Sequence, residues 1–172
     1  MRDLVVPREY LGNSPSLQEA FQVAFDKKTL EVAHEGPIDA TDWVIGNNVR
    51  ERRMKVTSPL PPGFPDLLRK FLGGRNDIRA TVRQVATMAT DETQCTVKNK
   101  TRFHILGAKL LRFGSSFELY RTEPGEIYMS AHVRVRALLP PPFKALAESL
   151  VIETSRRNID AYFRAVSNAL HA

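Results

Sequence analysis

Residues 93–105 read Thr-Gln-Cys-Thr-Val-Lys-Asn-Lys-Thr-Arg-Phe-His-Ile, and two faces alternate through the run. Cys95, Val97, Asn99, Thr101, Phe103 and Ile105 fall on one face; Thr96, Lys98, Lys100, Arg102 and His104 fall on the other. Successive side chains of a β-strand point to opposite sides, so a period of two with one basic face predicts a half-buried antiparallel strand. Thr90-Asp91-Glu92 supplies a polar hairpin turn before it. Outward from this run, residues 78–87, 116–122 and 126–138 also read as strands. In the last of them Ile127, Met129, Ala131, Val133 and Val135 alternate with Tyr128, Ser130, His132, Arg134 and Arg136. Glu123-Pro124-Gly125-Glu126 centres Pro and Gly in a turn. Strands joined by short turns predict an antiparallel sheet with one apolar face.

That face needs a cover, and the chain ends with one. After Pro140-Pro141-Pro142, residues 143–170 predict a helix of about 28 residues, roughly 42 Å long at 1.5 Å per residue. Phe143, Leu146, Ala147, Leu150 and Thr154 mark its early inner face; Ile159, Tyr162, Phe163, Val166 and Leu170 mark a later one. Nearer the N-terminus, residues 4–10 predict a short strand. Ser14 or Ser16, the latter with Glu19 three residues on, caps a helix carrying Leu17, Ala20, Phe21, Ala24 and Phe25. Residues 28–35 and 43–45 read as short strands, and 49–57 as an arginine-rich strand stopped by prolines. Phe64, Leu67, Leu68, Phe71 and Leu72 fall on one stripe of a second helix that Gly73-Gly74 ends. The resulting expectation is one α+β domain over residues 1–172, a curved antiparallel sheet wrapped around a long C-terminal helix.

The 172 residues are 42% hydrophobic and 26% charged, a composition for a globular domain that can bury a core unaided. A single cysteine, Cys95, excludes an internal disulfide framework and makes a reducing compartment, the cytoplasm, the expected setting. The N-terminal apolar run is too short for a signal peptide. No stretch has the ~18 apolar residues of a membrane span, so any membrane contact is expected to be peripheral. The net charge of +6 suits an anionic surface. No recognition motif accompanies it, so no specific nucleic-acid partner is expected.

The early helix from Ser16 to Phe25, the meander from Val49 to Leu138 and the final helix from Phe143 together resemble the START-like, helix-grip (SRPBCC) superfamily, over nearly the whole chain. Two lipid-transfer branches look similar in detail. Trp43 followed by the arginine-led run Val49–Pro59 resembles the VASt domains of sterol transporters. Arg52-Arg53, then Leu60-Pro61 and Phe71-Leu72-Gly73-Gly74, resembles the PRELI-like phospholipid carriers. The resemblance implies a cavity between sheet and C-terminal helix that takes a hydrophobic ligand, a lipid or sterol, and transfers it between membranes.

On that reading Val97, Asn99, Thr101, Phe103, Leu119, Met129 and Val133 line the cavity from the sheet, and Leu146 and Leu150 from the helix. Asn99 and Thr101, polar on an apolar face, orient a ligand hydroxyl. Phe64, Leu67, Leu68 and Phe71 form a lid. The bland reading fills the same space with interdigitated side chains at normal core density. The alternatives for function are a cyclase or hydratase on the same fold and a docking module using the basic sheet face. That face carries Lys98, Lys100, Arg102, Arg134 and Arg136; the run Arg50, Arg52, Arg53 and Lys55 reads as solvated in the same way. No metal site, cofactor or catalytic constellation is expected. His34, His104, His132 and His171 lack ligand spacing, and Cys95 reads as a small buried hydrophobe.

Overall fold

A computed structural model describes residues 1–34, 36–60, 62–71, 73–104 and 111–172; at Leu68 and Phe71 it describes only the backbone. The elements run β1 (Arg2–Asn13), α1 (Leu17–Ala24), α2 (Lys27–His34), β2 (Ile38–Ala40), β3 (Val44–Ile45), β4 (Val49–Pro59), α3 (Asp66–Phe71), β5 (Asp77–Met88), β6 (Gln94–Phe103), β7 (Leu111–Arg121), β8 (Glu126–Ala137) and α4 (Phe143–His171). The strands form one sheet in the order β1-β8-β7-β6-β5-β4-β2, with β3 also on β4, and every pairing is antiparallel. The long helix packs on β1 and β8 and on α2, with α1 beside it. This is the helix-grip arrangement: a curved sheet closed on its concave side by α4.

Local chemistry explains most element boundaries. Ser16 is extended (φ −144°) and its Oγ accepts from the Glu19 amide at 3.1 Å, capping α1. A Ser16→Ala variant is expected to lose about 1 kcal/mol of stability in urea unfolding, the usual cost of an N-cap. Gly125 adopts φ +115°, a conformation glycine tolerates, and its amide donates to the Thr122 carbonyl at 2.7 Å to close the β7–β8 turn.

Lys28 to His34, expected within a strand, instead belong to helix α2. Asp26 starts it: its Oδ2 accepts from the Lys28 amide at 2.9 Å and its carbonyl from the Leu30 amide at 3.1 Å. The buried residues Thr29, Leu30 and Ala33 then fall on one helical face against α4. Strand β7 begins at Leu111, five residues before the expected start at Ser116. Arg112, Gly114 and Ser115 break the apolar pattern there, yet Gly114 pairs in register with Lys100 and Arg134. Ile105, expected on β6, lies outside the described residues, as do Glu35, Pro61 and Leu72.

The concave side has two zones. At one end the sheet, α1 and the C-terminal half of α4 form a solid core. Val97, Leu119, Ile127, Met129 and Val166 there have no exposed surface, and Phe21, Phe25 and Phe163 fill the space between them. Toward the other end of the same strands, Asn99, Thr101 and Phe103 follow Val97, while Phe117, Ser115 and Phe113 precede Leu119. None of these six is fully buried, because the space in front of them is hollow.

Candidate functional site

The hollow is a cavity of about 300 Å³ between the concave face of β4–β8, α2 and the N-terminal half of α4. Its walls are mainly apolar. Met54, Val56, Val82, Phe103 and Phe113 stand on the sheet; Ala147, Leu150, Val151 and Ile159 face them from α4. Leu30 and His34 of α2 close one side, and Phe64, just ahead of α3, closes another. Burial holds the His34 imidazolium form down, so the ring is neutral at neutral pH.

The expected lining residues divide between the two zones. Asn99, Thr101, Phe103, Val133 and Leu150 face the cavity. Val97, Leu119 and Met129 belong to the solid core instead, on the right face but one or more rows too deep. Leu146 is 42% exposed and does not reach the cavity; Ala147, one residue on, does. Of the expected lid, Phe64 faces the cavity and Leu67 is 48% exposed. The side chains of Leu68 and Phe71 lie outside those described.

One row of the sheet carries most of the polarity. In register across four strands stand Arg52 (β4), Gln84 (β5), Asn99 (β6) and Ser115 (β7), followed by Val133 on β8. The row lies at the boundary between the solid zone and the cavity, and Gln84, Asn99 and Ser115 all line the cavity. Arg52 Nε donates to Gln84 Oε1 at 2.7 Å, and Asn99 Nδ2 donates to Ser115 Oγ at 3.1 Å. Two buried polar atoms of this row have no partner among the described residues: Arg52 Nη2 and Asn99 Oδ1. Such atoms are rare in folded proteins and costly.

Arg50 and Arg52, expected on a solvated face, turn inward instead. β4 alternates Arg50, Arg52, Met54 and Val56 inward and Arg53 and Lys55 outward; Arg52 is only 6% exposed. Its guanidinium lies 4.3 Å from the centre of the Trp43 ring, and that of Arg50 lies 5.2 Å from the centre of Phe21. Desolvation pulls Arg52 down to about 10, with Tyr162 and Asp26 acting against it, so it stays charged at neutral pH. Tyr162, at the cavity's inner end, donates its hydroxyl to the Ala24 carbonyl at 2.8 Å. Burial raises its own pKa far out of the physiological range.

The convex face holds Lys98, Lys100, Arg102, Arg134 and Arg136, all exposed. His104 and His132 do not meet, since β7 separates their strands. His104 Nε2 lies 2.7 Å from Thr81 Oγ1, and His132 lies 3.8 Å from Asp3. Cys95 has no exposed surface, and burial lifts its thiol to about 11. Ellman's reagent at pH 8 is therefore expected to leave Cys95 unmodified in the folded protein and to label it fully in denaturant.

No protein-family model matches the sequence, and no curated protein matches it. Solved structures do match. The chain is similar to TTHA0849 from Thermus thermophilus, at 10% identity and a TM-score of 0.59, covering 99% of this chain and 97% of that one. It is similar to the Zhui aromatase/cyclase from Streptomyces sp. R1128, at 8% identity and a TM-score of 0.61, covering 99% and 93%. A conserved protein from Geobacillus kaustophilus matches at 6% identity and a TM-score of 0.58, covering 99% and 95%. At such identities the likeness concerns the fold. No helix among the described residues is long and apolar enough to cross a membrane.

Proposed function

We propose that this protein is a binding protein for one hydrophobic small molecule, held between the sheet and α4. The observation that carries the reading is the hollow itself. The strands pack solidly at one end and stand off α4 at the other, leaving about 300 Å³ walled by apolar side chains. An apolar molecule entering it gains roughly 25 cal/mol for each Å² of surface removed from water, before the costs of association. The volume lies at the lower end for small-molecule pockets. A single-chain lipid or compact ring system suits it better than a phospholipid with two chains. Transfer between membranes, as in the VASt and PRELI-like branches, is the extended form of this reading. The exposed basic convex face supports it, since each basic residue near an anionic membrane contributes about 1 kcal/mol.

Binding is favoured over catalysis by the groups present. Among the described residues the cavity wall holds no carboxylate; its polar groups are amides, hydroxyls and one neutral imidazole. The Streptomyces structure is named as a cyclase, and a cyclase or hydratase on this chain would have to work through His34 and Tyr162. Native mass spectrometry of the purified protein, with solvent extraction of whatever it carries, tests the reading. A stoichiometric hydrophobic compound is expected. A mass that stays bare after incubation with liposomes and with free fatty acids would sink it.

A further inference from the structure

The unpartnered atoms of the polar row point to the chemistry of the ligand. Arg52 is a buried cation, and among the described residues it forms no ion pair. Among those residues its side chain donates to a neutral amide, Gln84, and its Nη2 finds no acceptor. Buried charges in folded proteins are normally paired, because desolvation without a counter-charge is costly. Asp26, the carboxylate that most influences it, instead caps α2 through the Lys28 amide. Among the described residues no anion balances this charge, and the cavity offers a place for one close by. Arg52 itself does not reach the cavity wall, but Gln84, which is bonded to it, lines the cavity, as does Tyr162.

Resting on the reading of the cavity as a ligand site, we infer that the ligand is an amphipathic acid. Its anionic oxygens seat against the Gln84 amide, with the Arg52 charge directly behind it, and its apolar body lies toward Phe103, Phe113 and Leu150. Gln84 has its Oε1 held by Arg52, which leaves its amide N–H groups as further donors to the anion. Asn99 stands one strand beyond, about 4.8 Å away. Whichever way its amide is turned, one polar end lacks a partner among the described residues. Hydrogen bonds to charged groups are roughly twice as strong as neutral ones, so the acid group confers selectivity as well as orientation.

Two dyes of one shape separate this inference from the reading beneath it. 8-Anilinonaphthalene-1-sulfonate carries an anion; N-phenyl-1-naphthylamine is the same ring system without it. Each is titrated by fluorescence into the whole protein at high salt, which screens the surface charge. Both are expected to bind, the sulfonate at least about tenfold more tightly. Arg52→Met should abolish that preference and leave the neutral dye's affinity within about threefold. Gln84→Glu gives Arg52 an internal counter-charge and should abolish the preference too. It decides the matter if Arg52→Met does not fold. Equal affinity for the two dyes, or a preference that survives in the folded variants, overturns the acid ligand while the cavity stands. Failure of both dyes to bind overturns both readings.

Discussion

Phe163→Ala is expected to lower the unfolding free energy by about 3–5 kcal/mol, the range for truncating a buried phenylalanine. Phe163 is 1% exposed and sits where α4 meets the solid end of the sheet, near Tyr162. The surrounding side chains are already fully buried, so a void left there stays unfilled. Phe113→Ala removes the same atoms from a ring that faces the cavity and meets Phe103 edge-on, with ring centres 5.9 Å apart. A side chain with empty space on one side has fewer dispersion contacts to lose. Its truncation is expected to cost less than half as much. Urea unfolding followed by circular dichroism compares the two, provided the slopes agree. Equal costs would mean that α4 closes onto the sheet in solution and that no hollow persists. With a total stability of about 5–15 kcal/mol for an ordinary domain, the loss at Phe163 is a large part of the whole.

Much of this architecture is legible in the sequence because periodicity reports it directly. The strict alternation of 93–105 and 126–138 marks the inner faces of β6 and β8. The residues that follow Pro142 form the helix expected from their spacing. What alternation does not report is depth along a strand. Val97 and Asn99 share a face two residues apart, yet one is sealed in the core and the other fronts the cavity. The difference lies in how far α4 stands off the sheet, which is a tertiary property. Leu146 is misplaced for a similar reason: a wide apolar arc on a long helix does not say which part of the arc faces the hollow.

Arg52 and Gln84 are within reach of the same periodicity. Arg52 alternates with Met54 and Val56, and Gln84 with Val82 and Ala86, so each is a polar residue on an apolar face. The clustering of Arg50, Arg52, Arg53 and Lys55 conceals this, because four basic residues in six positions look like a solvated strand. Only the register of β4 with β5 shows that two of them turn inward and that Arg52 meets Gln84. His34 and Leu30 are hidden because α2 reads as a strand. Its helical face is short, and the residue that starts it, Asp26, is an ordinary acid in sequence.

Ala147→Trp should decide whether the hollow is where ligands go. Ala147 stands on α4 at the cavity wall and is partly exposed, so an indole placed there can occupy the void without displacing the solid core. Overpacking a filled core costs about 1–3 kcal/mol, but filling a void adds contacts and stabilises. The variant is therefore expected to unfold at the same or a higher temperature while binding N-phenyl-1-naphthylamine at least about tenfold more weakly, since apolar burial in the cavity drives that binding. The paired readout matters. Weaker binding with lower stability would describe a damaged fold. Unchanged binding with unchanged stability would place the dye elsewhere, such as the exposed apolar side chains Val44 and Ile45 of β3. Weaker binding in a protein at least as stable as the parent follows only if sheet and helix enclose the site, because only there does the indole compete for space the fold left open.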